Sequence, residues 1–230
     1  MFMAFVSAVF LYAIYDRLYE YAVKKEKFQK ARISGATVVN PTSTKPPFWL
    51  YIKEFNQLQC SAYHIENDTI NHYLDAFSKY NVELGTGYAK SWLFLAQIME
   101  ETGVTFTNLK GLITDSEGLT AEEKYTIEKS FDCPVYQTYG LGEVGMVAVE
   151  CKKNHYHIFT DRCLVEIIDP NGDVVRNGEI GEIVVTDLNS FNAPFIRYKT
   201  GDLASLNTQP CDCGWKTPYL ENLCGRLDDY

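Results

Sequence analysis

Apolar residues in the first 145 positions recur at helical spacing in some segments and form short continuous runs in others. Helical spacing predicts helices over residues 65–80, 92–101 and 120–130, the first capped by Asn67 or Asp68 and the second ended by Gly103. Short apolar runs predict strands over residues 109–114 and 135–138, and residues 84–88 are predicted to be the end of a strand that opens into a loop containing Gly85 and Gly87. Because the helices and strands alternate, this part is predicted to be an α/β layer with a parallel sheet flanked by helices.

The first fifteen residues are almost entirely apolar. Asp16 interrupts the run before the roughly 20 residues that a membrane-spanning helix needs, and no basic residue precedes it. We therefore predict a buried helix that continues toward Lys30 as it emerges into solvent, and leave attachment to a membrane open as an alternative. A wholly apolar helix at the start of a chain needs partners on every face, so we expect the chain to be a fragment of a larger domain.

From Met146 the pattern changes to short β segments separated by turns. Strands are predicted over residues 147–149, 156–159, 164–168, 183–186 and 195–198, with Asn171-Gly172 and Asn177-Gly178 as hairpin signals. We therefore assign residues 1–145 to an α/β part and residues 146–225 to a β-rich, barrel-like subdomain.

Composition narrows the function classes. With 46% apolar residues the chain can build a core, and its net charge of -9 argues against nucleic-acid binding, which depends on lysine and arginine. Seven cysteines, with one closely spaced Cys-x-Cys pair, fit a reducing compartment and a bound metal better than a disulfide framework. We expect a cytoplasmic protein.

The cysteine spacing indicates a candidate metal site. Cys211 and Cys213, followed by Gly214, can present two thiolates from one turn, and Cys151 with either His155 or His157 can complete a tetrahedral set. The remaining cysteines are predicted to be small buried side chains, namely Cys60, Cys133, Cys163 and Cys224.

Three further motifs carry candidate chemistry. Residues 139–143, Tyr-Gly-Leu-Gly-Glu, supply an aromatic ring, a tight turn and a carboxylate. Residues 197–202, Arg-Tyr-Lys-Thr-Gly-Asp, place an acid that can meet a ribose diol after a turn, and residues 225–229, Gly-Arg-Leu-Asp-Asp, can form a hinge. In this order, and together with residues 179–188 and the Cys-Asp-Cys-Gly turn, these motifs resemble the adenylate-forming enzymes. The resemblance is strongest to their phenylacetate-CoA ligase branch, which includes adenylating enzymes of capsular polysaccharide biosynthesis.

The resemblance implies part of the large domain of such an enzyme, with residues 226–230 starting the hinge to a carboxy-terminal domain. It implies that Tyr139 stacks on adenine, Glu143 approaches a catalytic Mg²⁺ and Asp202 accepts from the ribose hydroxyls. The implied nucleotide-binding residues also include Ser116, Glu117, Gly118, Gly140 and Arg226. The implied acid-binding residues are Tyr63, Gly85, Gly87 and Tyr88, and the implied structural zinc ligands are Cys151, His157, Cys211 and Cys213.

One position departs from the family pattern. The family commonly has a hydroxyl residue before the glutamate, and this chain has Gly142. The missing donor to the α-phosphate affects the expected adenylation rate more than nucleotide binding.

The resemblance implies a ligase that uses ATP and Mg²⁺ to convert a carboxylic acid to an acyl-adenylate and transfers the acyl group, with CoA as the expected acceptor. Neither a glycine-rich phosphate loop nor the family's catalytic lysine is recognised in the chain, so we expect the isolated chain to have negligible adenylation activity. The alternative is a non-catalytic nucleotide- and zinc-binding scaffold. Partners are expected to be small molecules, with neither nucleic acid nor a membrane, and homodimerisation is left open.

Overall fold

The computed structural model describes the backbone of residues 2–191 and 193–226, and the side chains from residue 12 to residue 225 within those ranges. Helix α1 spans Phe2–Val23. The chain divides into two units, one of residues 16–137 and the other formed by the start of α1 together with the residues from Thr138 onward. Among the described residues, no helix combines the length and the apolar character required to cross a bilayer.

The unit of residues 16–137 contains a mainly parallel sheet. Its strands are β1 Gln29–Ser34, β2 Trp49–Ile52, β3 Gln57–Ser61, β4 Val82–Tyr88, β5 Gly111–Asp115 and the first half of β6 Val135–Leu141. Their order is β2-β3-β1-β4-β5-β6, and every pair is parallel except the antiparallel β2-β3 pair at the edge. The α/β layer with a parallel sheet is therefore confirmed.

Three helices connect these strands: α2 Ile70–Lys79, α3 Ala89–Thr102 and α4 Ala121–Phe131. The apolar face predicted for α2 is buried, and Gly103 ends α3 in the left-handed region at φ 71°. Thr120 and Glu123 form a reciprocal capping box at the start of α4. Trp92 of α3 is fully buried and lies so close to Gly85 that an added Cβ would be 2.9 Å from the indole. That contact explains why a glycine occupies this strand position.

Several predicted boundaries in this unit are wrong. Helix α1 ends at Val23 rather than continuing toward Lys30, and residues 29–34 form a strand. Helix α2 begins after Thr69, so neither Asn67 nor Asp68 caps it. Strands β1 and β3 were not predicted, because their polar residues obscure the apolar pattern and pairing with neighbouring strands overrides it. Strand β2, the apolar run Trp-Leu-Tyr-Ile, was also not predicted. The four-residue strand β2 lies at the edge of the sheet, and the 3₁₀ turn Lys53–Phe55 follows it directly.

The second unit is β-rich. After β6 it contains β7 Gly145–Glu150, β8 Tyr156–Ile158, β9 Cys163–Ile168, β10 Ile180–Asp187, β11 Tyr198–Asn207 and β12 Tyr219–Arg226. The order is β6-β7-β8-β12-β11-β10-β9, and all of these pairs are antiparallel. The β-rich part is confirmed, with a core that includes Val147, Ile183, Val185 and Leu220.

Two details of this unit differ from the predicted pattern. The strand predicted over residues 195–198 begins only at Tyr198 and then runs through the Thr-Gly-Asp segment to Asn207. Strand β12 was not predicted, because its sequence, Tyr-Leu-Glu-Asn-Leu-Cys-Gly-Arg, has no regular alternation of apolar and polar residues.

Candidate nucleotide, acid and metal sites

Tyr139 and Asp202 form a direct contact in the β-rich unit. Strand β6 carries Tyr139 and strand β11 carries Asp202, and the Tyr139 hydroxyl donates a hydrogen bond of 2.8 Å to Asp202 Oδ2. Burial raises the pKa of Tyr139, and the Asp202 carboxylate raises it further, so the phenol stays protonated and donates. The Thr200 hydroxyl accepts from the Asp202 backbone N–H at 3.1 Å and fixes the start of this segment.

The structure also brings the third residue of this predicted group into register. The backbone of Arg226 pairs with that of Asp202 across the β11-β12 ladder. The Arg226 side chain lies outside the part of the chain whose side chains are described. Three residues predicted to bind the nucleotide are thus brought together, Tyr139 and Asp202 by a side-chain hydrogen bond and Asp202 and Arg226 by strand pairing, although Tyr139 and Arg226 are 87 positions apart in sequence.

The turn between β6 and β7 carries Glu143 outward. Residues 142–144 form the turn, and Gly145 closes it with φ 68°. A Cβ on Gly140 would lie 2.5 Å from the Gly145 carbonyl oxygen, so the close approach of the paired β6 and β7 backbones requires a glycine there. Glu143 is exposed, and nothing lies within 4 Å of a Cβ built on Gly142. A carboxylate at this tip is accessible to a cation, and position 142 has room for a side chain.

In the other unit, the predicted acid-binding residues gather at one edge of the parallel sheet. The carboxyl ends of β1, β3, β4 and β5 meet at that edge, which is where open α/β sheets bind ligands. The Tyr63 hydroxyl donates to the Gly35 carbonyl at 3.1 Å, and a Cβ on Gly35 would lie 3.2 Å from the Tyr88 ring. Tyr63 and Tyr88 therefore flank the same glycine. Gly85 and Gly87, expected in a loop, lie inside buried β4, where an added Cβ on Gly87 would overlap the Ile33 carbonyl.

Residues Ser116, Glu117 and Gly118 follow β5 at this same edge. Ser116 has φ 72° and its hydroxyl donates to Asp115 at 3.0 Å, while Glu117 accepts from the Lys90 backbone N–H at 3.2 Å. The Lys90 ammonium lies 2.6 Å from Glu123 Oε1. Lys90 thus links the segment predicted to bind the acid to the segment predicted to border the adenine.

Four metal-ligating side chains cluster in the β-rich unit. The ligand atoms of Cys151, His157, Cys211 and Cys213 all lie within 4.8 Å of one another. Cys151 follows β7, His157 lies on β8, and the two other cysteines share a turn closed by the bond from Gly214 N–H to the Cys211 carbonyl. The Sγ atoms of Cys151 and Cys211 are 4.0 Å apart, close to the about 3.8 Å edge of a tetrahedron with Zn–S bonds of about 2.3 Å.

The histidine in this cluster is oriented by its second ring nitrogen. His157 Nδ1 lies 3.0 Å from the Thr217 carbonyl oxygen, so it carries the proton and leaves the Nε2 lone pair facing Cys213 Sγ at 3.1 Å. Burial lowers the pKa of His157, which favours the neutral form that binds metals. The rival His155 lies outside the cluster, with Nδ1 3.3 Å from Cys211 Sγ and Nε2 3.2 Å from Glu221.

The donor set fits a structural zinc ion. Backbone N–H groups of Lys153, Cys213 and Trp215 approach the sulfur atoms at 3.4–3.5 Å, as expected around thiolates. Without a cation, burial and the neighbouring thiols of Cys211 and Cys151 raise the pKa of Cys213 to about 12. Three cysteines and one histidine would leave no open position for a reacting water.

Sequence reasoning missed several residues that support these sites. Gly35 and Thr217 contribute through their backbone carbonyls, and Lys90, although it lies in the predicted acid-binding segment, contributes through contacts with Glu117 and Glu123. No local motif identifies these contacts. The exception is Thr120, whose pairing with Glu123 has the capping-box spacing and could have been read directly.

Comparison with known proteins agrees with this arrangement. No family model matches the chain. The chain is 27% identical over 205 residues to Protein CapK of Staphylococcus aureus, covering 88% of this chain and 44% of CapK. It is 30% identical over 142 residues to a phenylacetate-coenzyme A ligase of Thermus thermophilus, covering 59% of this chain and 32% of the ligase.

The fold matches a solved acid–CoA ligase. A crystal structure of 2-hydroxyisobutyryl-CoA ligase in complex with 2-HIB-AMP and CoA aligns over 91% of this chain and 47% of that one, with a TM-score of 0.70 and 20% identity. In sequence and in fold, the chain is similar to members of the adenylate-forming superfamily. It spans less than half the length of the adenylate-forming relatives and of the ligase structure described here. In this chain, the part from Tyr139 to Arg226 carries the paired Tyr139 and Asp202 as well as the metal cluster.

Proposed function

We propose that this chain is part of an acid–CoA ligase that activates a carboxylic acid with ATP. The observation that carries the proposal is the juxtaposition of Tyr139, Asp202 and the Arg226 backbone, because it assembles the predicted nucleotide residues from strands β6, β11 and β12. The likeness to phenylacetate-coenzyme A ligases and to 2-hydroxyisobutyryl-CoA ligase supports it.

The proposed reaction has two steps. A carboxylate oxygen attacks the α-phosphorus of ATP, the bond to pyrophosphate breaks, and an acyl-adenylate forms. The sulfur of CoA then attacks the acyl carbon, loses its proton and releases AMP as the thioester forms. Both steps depend on holding reactants in place and neutralising phosphate charge, and neither needs a protein nucleophile.

The proposed roles follow from the geometry of each unit. The second Asp202 carboxylate oxygen accepts from the ribose hydroxyls while Oδ2 keeps the Tyr139 bond, and Tyr139 supports the adenine. Arg226 contacts ribose or phosphate. Glu143 presents its carboxylate to Mg²⁺ from the exposed turn. Ser116, Glu117 and Gly118 border the adenine, and Gly140 keeps the paired β6 and β7 backbones close.

The acid is proposed to bind at the carboxyl edge of the parallel sheet, between the rings of Tyr63 and Tyr88. Gly35 lies between these rings, and buried Gly85 and Gly87 shape the strand behind them. Two aromatic side chains with a glycine beside them suit a carboxylic acid with a small apolar group.

Cys151, His157, Cys211 and Cys213 are proposed to hold a structural Zn²⁺ that ties β7 and β8 to the turn before β12. We also propose a cytoplasmic location, since all seven cysteines are free thiols.

The experiment is a ligase assay on the natural product of the gene that encodes this sequence. Purified protein is incubated with Mg²⁺, ATP, CoA and a panel of aromatic and short branched acids, and thioesters are detected by mass spectrometry. We expect one acid class to give an acyl-CoA together with an equal amount of AMP. Formation of an acyl-adenylate without thioester would redirect the acceptor to another thiol or an amine. Absence of both products with every acid would favour a non-catalytic scaffold.

A further inference from the structure

A buried arginine lies under the turn that carries Glu143. The Arg162 side chain is 8% exposed and belongs to the segment between β8 and β9. Its Nε donates to the Met146 carbonyl at 2.8 Å, and its Nη2 donates to the Val144 carbonyl. The guanidinium therefore holds both carbonyls that flank Gly145.

Gly145 leaves the space that this guanidinium occupies. Its φ of 68° is unfavourable for other residues, and a Cβ at this position would overlap Arg162 Nη2. The glycine thus serves two purposes: it closes the hairpin and it admits the arginine. The side chain of Val144, the residue after Glu143, is buried, and its carbonyl accepts the hydrogen bond from Arg162. Packing and hydrogen bonding at Val144 thus fix the backbone that carries the exposed Glu143.

Asp187 at the end of β10 completes the arrangement. Its side chain is 1% exposed and its Oδ2 lies 3.7 Å from Arg162 Nη2. Its Oδ1 accepts from the Asn189 backbone N–H at 2.9 Å, and the Asn189 side chain donates to the Arg162 carbonyl at 3.2 Å. The two opposite charges are thus buried together as an ion pair, in which Asp187 Oδ1 is hydrogen-bonded to the backbone and the buried Oδ2 has Arg162 as its charge partner without a hydrogen bond.

We propose that Arg162, held by Asp187, is a positioning residue that fixes the Glu143 turn for Mg²⁺-dependent nucleotide binding. The fixed turn follows from the contacts alone, while its use at Mg²⁺ rests on the proposed function. A lysine at position 162 would keep the charge but could not donate to two flanking carbonyls from a planar fork. In that variant the exposed Glu143 carboxylate would become ordered only when Mg²⁺ binds, and the entropic cost of this ordering would weaken Mg²⁺-dependent nucleotide binding.

Two measurements on the natural product of the gene that encodes this sequence test the inference. The first is amide hydrogen exchange of residues 140–147 in the wild type, in Arg162→Lys and in the exposed control Arg176→Lys. We expect Arg162→Lys to raise exchange in this segment by about tenfold or more, with the Arg176→Lys protein unchanged. Exchange in Arg162→Lys that equals that of the wild type would overturn the inference.

The second is calorimetric titration with ATP, with and without Mg²⁺, and with AMP. In Arg162→Lys we expect the Mg²⁺-dependent gain in ATP affinity to fall by about tenfold while AMP affinity stays within about twofold, a split that general loss of stability would not give. Glu143→Gln should show the same loss, and the double variant should lose no more than either single variant. If the loss in the double variant equals the product of the two single-variant losses, Arg162 and Glu143 act independently, and the proposed positioning role is contradicted.

The outcomes separate the inference from the proposed function. If the wild type shows no Mg²⁺-dependent ATP binding but Arg162→Lys still loosens the turn, the proposed function fails and the anchoring role stands. If Arg162→Lys does not fold, Asp187→Asn, which keeps the shape of the pair and removes one charge, takes its place in both measurements. Unchanged turn exchange in that variant would overturn the role of the pair.

Discussion

The Tyr139 hydroxyl donates a hydrogen bond of 2.8 Å to the Asp202 carboxylate and joins the Tyr-Gly-Leu-Gly-Glu segment to the Thr-Gly-Asp segment. Tyr139 is buried, whereas Asp202 is partly exposed. The buried phenol therefore orients a carboxylate that solvent and ligands can still reach.

Removal of this bond should destabilise the fold. We predict that Tyr139→Phe lowers the free energy of unfolding by about 1.5–3 kcal/mol, the range for a hydrogen bond to a charged group. Denaturant unfolding of the variant measures the change. Tyr125→Phe, at a position 65% exposed, is the control and should change stability by less than about 0.5 kcal/mol. Equal changes in the free energy of unfolding for the two substitutions would show that the Tyr139–Asp202 hydrogen bond does not stabilise the fold.

The metal cluster predicts one zinc ion per chain. Cys213→Ser should abolish stoichiometric zinc binding and lower the melting temperature, since a missing thiolate leaves an incomplete tetrahedral set. The control Cys224→Ser removes a cysteine outside the cluster and should keep one zinc. Elemental analysis and thermal unfolding measure the two effects, and a Cys213→Ser protein with full zinc content would defeat the ligand assignment.

The two histidines should behave differently. His157→Gln should lose zinc, whereas His155→Gln should retain one zinc with affinity lower by about 10- to 100-fold, the effect of removing a group that supports a ligand. The contact of His155 with both Cys211 and Glu221 is the reason for the smaller effect. Competition with a chromophoric chelator measures both affinities. The reverse order of the two variants would make His155 the ligand.

The capping box of α4 predicts a pH dependence. The side-chain hydrogen bond from Lys90, followed by the backbone bond from Thr120, lowers the pKa of Glu123 below its ordinary value of 4.5. A lowered folded-state pKa stabilises the fold above the unfolded-state value, and that contribution is lost as pH falls through the folded-state pKa. Lys90→Met should therefore raise the pKa of Glu123, as measured by carboxyl ¹³C NMR. Lys129→Met, which removes the partner of Glu100 instead, should leave it unchanged.

Position 142 offers a gain-of-function test. Because nothing lies within 4 Å of a Cβ built on Gly142 and its φ is not in the left-handed region, Gly142→Thr should fold normally. The added hydroxyl supplies the donor that the family commonly places before the glutamate, and we predict a rise of about tenfold in the adenylation rate of the natural gene product. Gly142→Val, similar in shape but without the hydroxyl, is the matched control. A rise of the same size in both variants would exclude a hydrogen-bonding cause.

The features that could be predicted are those with strong local signals. Helix α3 ends at Gly103 as its sequence indicates, and the start of α4 follows from Thr120 and its first-turn acids. Strand β11 could not be recognised beyond Tyr198, since Thr200 and Gly201 resemble a turn. Gly201 indeed has φ 76°, and the pairing of the flanking residues with β10 and β12 keeps this irregular segment in the sheet. The buried Arg162 and Asp187 are also invisible locally, because 25 residues separate them and each alone is typical of a surface.

The choice between His155 and His157 illustrates the same limit. Their spacing allows either to face the cysteines, and the sequence leaves both open. The bond of His157 Nδ1 to the Thr217 carbonyl, 60 residues away, determines which lone pair faces the thiols. That information exists only in the tertiary structure.

Acid-dependent exchange of pyrophosphate into ATP by the natural gene product, compared with its Glu143→Gln variant, tests the central claim most directly. The account predicts exchange that requires both a carboxylic acid and Mg²⁺ and that falls by about 100-fold or more in Glu143→Gln, because the carboxylate that approaches the ion is lost. Exchange that is absent with every acid tested, or that is unchanged in Glu143→Gln, would contradict it.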